Sequence, residues 1–474
     1  MNISLYLFFI GAATLFALGI FWRVRGSLTE RKIAALLLAF GFLLRLSYIL
    51  YTKVDIRQHD VWNFSNGNFF AFDNQRHAEY IEYIATYLKL PNVNPMNGLA
   101  QTYHPPLHHL IAGLWLRLNT ALGVEYTAAT ENIQFLTLLY SSACMVIVYR
   151  ILRYFKLKGT ALLLPLAIIC FHPTFIIMAG SVNNDILSIT LAFYAVYAAL
   201  LWFREPKMSN IIKVALGVGL SMMSKLSGVL VAGGIGFLFL YKWWESVRSK
   251  NGTAKKISLQ FAAFGAVCVP LGLWWQIKNA IFFGASPFYV PELSSNSDQY
   301  LGGYSFFERI FTMSGEHISN VFVSWESRGA AVNEYNPLLA LLKTSVFGEF
   351  TLFDPSAHIG NIACIVLFAA NVLLVALSLY AGVRCLIKYK KSPVSWGLFL
   401  VWFVIMASYV NFCFSYPQVC TQNFRYAVPT LICGVTALGI HIKSASPVFR
   451  KITVAVTVVF CIASAVAYTL LGVV

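Results

Sequence analysis

Residues 160–204 read TALLLPLAIICFHPTFIIMAGSVNNDILSITLAFYAVYAALLWFR. Two apolar runs, 160–178 and 184–203, each come close to the length that an α-helix needs to cross a bilayer. A short polar turn separates the runs, and Arg204 directly follows the second. This pattern predicts two antiparallel membrane helices that are joined on one side of the membrane and end in basic residues on the other.

The same pattern recurs along all 474 residues, so we predict an all-α polytopic membrane protein with about twelve transmembrane helices. Hydrophobic residues make up 58% of the chain and charged residues 11%, against about 25% in an ordinary soluble protein. This composition excludes a soluble globular enzyme, a disordered chain and a coiled coil. The predicted spans are 3–22, 33–52, 129–150, 160–178, 184–203, 210–224, 227–243, 257–282, 361–383, 394–413, 426–442 and 452–473.

Six short loops hold 23 of the 35 Lys and Arg residues but only three of the 19 acids. Because Lys and Arg collect in cytoplasmic loops, these loops are predicted to lie inside and both termini outside. The net charge of +16 is then a membrane-topology signal and does not indicate nucleic acid binding. The six loops are 23–32, 150–158, 204–213, 242–256, 384–391 and 443–451.

Segment 104–123 is apolar enough to resemble another span. If it crossed the membrane, the basic loops at 22–33 and 150–158 would lie on opposite sides. We therefore predict an amphipathic interfacial helix that begins at Pro105 and Pro106.

Two long stretches, 53–128 and 283–360, remain on the outer side. We divide the chain into an N-terminal catalytic module (1–282), a second outer loop (283–360) and C-terminal transmembrane helices (361–474). A membrane protein with its bulk on one face is expected to work at that face. No Walker loop points to ATP as an energy source.

The first outer loop opens with the sequence DIRQHD, from Asp55 to Asp60. A carboxylate at a helix–loop junction beside the membrane is costly unless it is solvated or used. The segment is therefore either a wet loop or the position of a general base at the rim of a cavity. Further along, HAEYIEYI (77–84) predicts an amphipathic interfacial helix that carries Glu79.

The phrase YHPPLHHL (103–110) contains three histidines. Neighbouring helix positions point about 100° apart, so interfacial hydrogen bonding is a better interpretation than a metal site. Cys413 and Cys420 both fall where an oxidising compartment would allow a disulfide, and free thiols are the alternative.

Asp185 starts a predicted helix, where it serves as a helix cap or as a second acid facing the same cavity as Asp60. Lys225 has no acid nearby in the sequence and either snorkels to the interface or binds an anionic headgroup. Arg425 adds a cation at the same level. Two acids and two cations suit a reaction on a phosphorylated lipid, with the acids serving the acceptor and the cations holding the phosphate.

The order of these motifs, from about residue 40 to 430, resembles the polyprenyl-phosphate-sugar-dependent glycosyltransferases of the C superfamily. More narrowly, it resembles the branch with the protein O-mannosyltransferases and the lipid A aminoarabinose transferases. The motifs are Arg45 followed by Asp60, then HAEYIEYIA, YHPPLHHLIAGL, SVNNDILS, MSKLSG, WWQIKNAIFFG and QNFRYAVP.

The resemblance implies the GT-C fold, a sugar donor on undecaprenyl phosphate or a similar lipid, and inversion by direct displacement. It implies that Asp60 is the base, with Asp55 as the competing candidate, and that Asp185 positions a substrate. A divalent metal held by the two acids Asp60 and Asp185 stays open. The acceptor is a lipid, a glycan or a protein, and the location is the bacterial inner membrane with a periplasmic active site.

By the same resemblance, Lys225 and Arg425 bind the lipid phosphate, and Tyr103 and His104 border the sugar. His59 and Glu79 complete the set of substrate-binding candidates. One departure is that the mannosyltransferases commonly carry an Asp-Glu pair in the first loop, whereas Val61 follows the aspartate here.

Two other functions compete with the enzyme. A transporter or flippase of lipid-linked glycans is expected to carry ionisable groups near the bilayer midplane and repeated halves. An outer-face oligosaccharide ligase is expected to have an outer loop rich in Arg and His. Most acids here lie in outer loops and no repeat is visible, which favours the glycosyltransferase.

Overall fold

The computed structural model describes residues 3–61, 64, 76–97, 101–250, 253–291 and 293–473. These residues form α-helices and short 3₁₀ turns and contain no β-strand, so the all-α prediction is confirmed. The first outer loop, 53–128, is described in part, because 62–63, 65–75 and 98–100 lie outside the described residues.

Nineteen α-helices occur in the described residues. They are α1 (Ile3–Val24), α2 (Glu30–Tyr51), α3 (His77–Tyr87), α4 (Leu107–Ala121), α5 (Tyr126–Glu131), α6 (Gln134–Tyr154), α7 (Thr160–Phe171), α8 (Pro173–Gly180), α9 (Asp185–Arg204), α10 (Met208–Ser224), α11 (Ala232–Arg248), α12 (Thr253–Phe283), α13 (Phe306–Phe311), α14 (Gly315–Ser319), α15 (Pro337–Phe347), α16 (His358–Lys388), α17 (Pro393–Ser415), α18 (Thr430–Ile442) and α19 (Pro447–Leu470).

The protein is an integral, multi-pass membrane protein. Ten helices in the described part of the chain are long and apolar enough to cross a membrane, and a bent pair makes eleven. All twelve predicted spans fall on helices, but two are too short to count alone. Helix α10 has 17 residues, and α18 has 13 and meets the segment Val419–Tyr426 at 49°.

Helices α9 and α10 pack side by side and join one end of the bundle to the other. Asp185 at the start of α9 contacts Lys225, which directly follows α10, whereas Arg204 and Met208 lie together at the opposite end. Helix α10 therefore returns the chain to the end at which α9 began. This arrangement agrees with the predicted position of the six basic loops at one end of the helices.

The outer segment 104–123 forms α4, which is not among the candidate spans. Helix α4 begins directly after Pro105 and Pro106, as expected, and packs closely against α3. A Cβ atom at Gly113 would lie 2.8 Å from Cβ of Ile84, so this close approach requires a glycine.

The span between Thr160 and Gly180 is broken at His172, between α7 and α8. Pro173 has no N–H to donate to the carbonyl of Ile169, which is left without its usual helical partner. The fully buried guanidinium of Arg45 donates to this carbonyl at 3.2 Å and to that of Cys170 at 2.7 Å. Arg45, which begins the family-like motif series, is thus an internal cap of a broken membrane helix.

The second outer stretch has a polar core of its own. Glu334 is completely buried and pairs with Lys343, and its other oxygen lies 3.4 Å from Nδ1 of His317. Gln422 donates to the Glu334 carbonyl and accepts from Arg309 at 2.9 Å. Gln422 is therefore fixed by hydrogen bonds on both sides. Removing one partner of the buried Glu334–Lys343 pair is expected to destabilise this network strongly.

All nine cysteines are free thiols. The question left open for Cys413 and Cys420 is thereby answered, because the Cys413 thiol faces the carbonyl of Thr421 at 3.6 Å.

Candidate active site

Arg425 is the centre of a charged cluster at the end of the helices opposite the basic loops. Its Nη2 atom lies 2.7 Å from Oδ2 of Asp60, and its Nη1 atom lies 3.8 Å from Oδ2 of Asp185. The guanidinium sits on a 3₁₀ turn, Phe424–Tyr426, whose start is capped by the side chain of Asn423 at 2.9 Å. One buried cation therefore bridges acids from two separate parts of the chain.

Asp60 has a left-handed backbone conformation (φ +57°), which is uncommon for a residue other than glycine. Its carbonyl accepts from the N–H of His77 at 3.1 Å, which ties the loop to the start of α3. Its Oδ1 atom lies 3.2 Å from Nη1 of Arg76, so each carboxylate oxygen faces a guanidinium. Burial alone raises the pKa of Asp60, but Arg425 and Arg76 outweigh it and hold the pKa below its usual range.

Asp185 is the first residue of α9, but its side chain does not cap the helix. The carboxylate instead forms an ion pair with Lys225, and only 4% of the Asp185 side chain is exposed. Hydrogen bonds of 3.0 Å between Asn184 and Ser224, one in each direction, hold the two turns together. Lys225 thus finds in Asp185 the acid partner that its local sequence lacks.

A small cavity of about 30 Å³ opens beside this cluster. Asp185, Lys225, Arg425 and Tyr426 line it together with apolar side chains. Lys225 Nζ lies 4.9 Å from the centre of the Tyr426 ring, and Nε of Arg425 is buried with no hydrogen-bond partner in the described residues. The wall therefore combines two cations and an unused donor, which suits an anionic ligand.

Tyr103 and His104 lie at the rim of the cluster, with ring centres 4.1 Å apart. The pKa of Tyr103 is raised, first by burial and then by the nearby charge of Asp60. His104 stacks on His77 at 5.4 Å. Burial holds the pKa values of both imidazoles well below their usual range, which keeps them neutral.

His59 precedes Asp60 and is buried against Phe350, at a ring distance of 4.9 Å. Burial, followed by the charge of Arg425, lowers its pKa to about 3, so the imidazole is neutral. Its Nε2 atom has no hydrogen-bond partner among the described residues. His59 therefore packs beside the cluster without adding charge to it.

Two candidates from the sequence lie apart from the cluster. Asp55 is exposed, and its charge acts on Glu131. Glu79 is buried on α3, and neither carboxylate oxygen has a hydrogen-bond partner in the described residues. Burial, and then the charge of Glu82, raises the pKa of Glu79 to about 8.

Glu349 is a residue of the cluster that the sequence did not indicate. It follows α15 in the second outer stretch, and both Arg425 and Asp60 lie close enough to influence its pKa. Its local sequence, FGEF, matches no motif, so nothing in the chain nearby marks it as functional.

The acids of the cluster do not fit a divalent metal. Within the described ranges, no group of three or more His, Cys, Asp or Glu residues is placed to hold one. Asp60 faces two guanidinium groups, and Asp185 faces Lys225 and Arg425. A divalent ion at these carboxylates would be held against three positive side chains, which opposes its binding.

No protein-family model matches the chain, and no curated protein matches it in sequence. Solved structures do match. ArnT from Cupriavidus metallidurans is 11% identical and gives a TM-score of 0.51 in its apo state and 0.50 bound to undecaprenyl phosphate. In both cases the match covers 92% of this chain and 76% of ArnT.

The oligosaccharyltransferase of Archaeoglobus fulgidus, in a complex with Zn and sulfate, is 14% identical with a TM-score of 0.48. That match covers 91% of this chain but 53% of the archaeal protein, so the chain spans about half the length of that relative. The match to ArnT shows that the chain shares the fold of ArnT.

Proposed function

We propose that the protein is a membrane glycosyltransferase that moves a sugar from a polyprenyl-phosphate donor to a lipid, glycan or protein acceptor. The observation that carries this proposal is the cluster in which Arg425 bridges Asp60 and Asp185 beside a cavity that Lys225 also lines. Opposite charges in a buried cavity at the ends of membrane helices suit a substrate with a lipid tail and a phosphate head.

These contacts support the following proposed roles. Lys225 and Arg425 hold the lipid phosphate and stabilise the charge that develops on it as the bond to the sugar breaks. Tyr103 and His104, at the rim, border the sugar. The acceptor hydroxyl attacks the anomeric carbon from the side opposite the phosphate, which inverts that centre, and a carboxylate takes the proton. The family resemblance implies Asp60 for that last role, with Asp185 positioning the substrate.

We further place the protein in the branch with the aminoarabinose transferases, in a bacterial inner membrane with the cluster on the periplasmic side. Three observations support this proposal. The six basic loops lie opposite the cluster, ArnT shares the fold and is bound to undecaprenyl phosphate in one structure, and the Asp-Glu pair typical of mannosyltransferases is absent.

Transport of a lipid-linked glycan is the second candidate. The buried charge of Arg45 in the span of α2 is the feature that would favour it. The Arg45 guanidinium, however, donates hydrogen bonds to the carbonyls of Ile169 and Cys170 at the helix break. The remaining cluster lies at the helix ends, which favours an enzyme that works at one face.

The test is sugar transfer by the purified protein in nanodiscs with radiolabelled polyprenyl-phosphate sugars and a mixture of acceptors. Wild type is compared with Lys225→Gln and with Lys207→Gln, in which an exposed lysine of a basic loop is changed instead. We expect release of lipid phosphate and label transfer in wild type and Lys207→Gln, and a loss of about 100-fold in Lys225→Gln. Donor binding without turnover in all three proteins would contradict the enzyme and support transport.

A further inference from the structure

Glu349 belongs to a turn that packs against the loop of Asp60. Helix α15 ends at Phe347, and Gly348 follows with φ +60°. A Cβ atom at Gly348 would lie 3.4 Å from Nε2 of His59, and the ring of Phe350 lies 4.9 Å from that of His59. The turn of residues 348–350 thus packs against His59, the residue directly before Asp60.

The carboxylate of Glu349 lies close enough to Arg425 and Asp60 for both charges to act on it. Its Oε2 atom is buried and has no hydrogen-bond partner among the described residues. The side chain of Asn423 lies beside the Glu349 carboxylate and lowers its pKa. The Nδ2 atom of Asn423, however, makes no hydrogen bond of normal distance and angle in the described residues. Arg328 donates to the main-chain carbonyl of Glu349, so it contacts this residue through the backbone.

Asp60 and Asp185, the two acids identified from the sequence, are paired with cations. Both oxygens of Asp60 face guanidinium groups, and Asp185 contacts Lys225 and Arg425. A carboxylate held in this way is ionised but a weak base, because each cation stabilises the negative form. Such acids are well suited to hold Arg425 in place and poorly suited to take a proton.

We propose that Glu349 is the proton acceptor for the sugar acceptor's hydroxyl group, while Asp60 positions Arg425; this inference rests on the proposed function. The hydroxyl oxygen forms a bond to the anomeric carbon as the bond from that carbon to the phosphate oxygen breaks. The hydroxyl proton passes to the Glu349 carboxylate. The phosphate oxygen keeps the electron pair of the broken bond and departs as polyprenyl phosphate.

The charged groups around Glu349 support this assignment. Burial raises the pKa of its carboxyl, Arg425 and Arg328 oppose this, and the negative charge of Asp60 adds to it, so that the pKa lies above its ordinary value of 4.5. A general base works best when its pKa approaches the operating pH.

The pH dependence of kcat separates the two acids. If Glu349 accepts the proton, kcat falls as the pH drops through the raised pKa of Glu349, above about 4.5. If Asp60 accepts it, the fall comes only at lower pH, because the pKa of Asp60 is held below its usual range.

The experiment measures kcat, the donor KM and the pH profile for the full chain in nanodiscs. We expect Glu349→Gln to lower kcat by about 100-fold or more, with donor KM changed by less than about threefold, because general-base catalysis contributes 10² to 10⁴. Glu349→Asp should keep measurable kcat and shift the acidic limb of the profile. Asp354→Asn, which changes an exposed acid of the same outer stretch, should match wild type.

An unchanged kcat in Glu349→Gln, or an unchanged acidic limb in Glu349→Asp, would overturn the inference. If Glu349→Gln does not fold, the acidic limb of Glu349→Asp decides alone. The proposed function fails separately, when wild type itself transfers no sugar from any donor that it binds.

Discussion

Arg425 Nη2 lies 2.7 Å from Asp60 Oδ2, although 365 residues separate the two in the chain. The contact joins the first outer loop to the segment before α18. The same guanidinium reaches Asp185, so three separate parts of the chain meet at a single side chain. The geometry of this fork underlies the first two predictions.

Arg425→Lys should abolish transfer although it keeps the positive charge. A single ammonium cannot replace the planar fork that contacts Asp60 and Asp185 together, so we expect kcat/KM to fall by about 100-fold or more. Arg117→Lys, which changes an exposed arginine on α4, is the control and should behave as wild type. Retention of more than about a tenth of the activity in Arg425→Lys would show that charge alone suffices.

Asp60→Asn and Asp55→Asn should differ in effect. Asp60→Asn leaves Arg76 and Arg425 without their common anion, and we expect kcat to fall by about 100-fold. Asp55 is exposed and outside the cluster, so Asp55→Asn should change kcat by less than about twofold. The measurement is the initial rate at saturating donor. A large loss of kcat in Asp55→Asn would favour Asp55, the competing candidate, as the base.

Arg45→Leu should destabilise the folded protein without acting on the substrate. The substitution leaves the carbonyls of Ile169 and Cys170 buried and unpaired, at a cost of roughly 2–5 kcal/mol. Thermal unfolding in detergent measures the change, with Arg31→Leu at the exposed start of the same helix as the control. A midpoint within a degree of wild type would mean that other donors satisfy these carbonyls.

Glu79→Gln should alter how stability depends on pH. In the folded protein the pKa of Glu79 is raised to about 8, from an ordinary value of 4.5. The folded state therefore binds more protons between these values, and wild type loses stability as the pH rises from about 4.5 through 8. We expect Glu79→Gln to be more stable than wild type at pH 9 by several kcal/mol, with roughly 5 kcal/mol as the upper bound, and nearly equal to it at about pH 4.

The measurement for Glu79 is the unfolding midpoint across pH, with Asp354→Asn as the matched exposed control. If the unfolding midpoint changes with pH equally in wild type and in Glu79→Gln, the raised pKa of Glu79 is contradicted.

Local sequence patterns were enough to predict most of the architecture. Apolar runs of about twenty residues and clusters of basic residues are properties of short segments, so they predicted the helices and their common basic end. They also placed Pro105 and Pro106 at the start of an interfacial helix. The described residues hold ten or eleven candidate spans against about twelve predicted, because the 17-residue α10 is short for a span and α18 makes one only together with the bent segment before it.

The chain by itself therefore determined the helices, the orientation signal and the residue types of the candidate site, namely Asp60, Asp185, Lys225 and Arg425. Tertiary structure alone decided which of them are paired. Ion pairs such as that between Arg425 and Asp60 depend on helix packing over hundreds of residues, which no local pattern encodes. The same holds for Glu349, because a carboxylate becomes unusual only when burial removes water and leaves an oxygen without a partner.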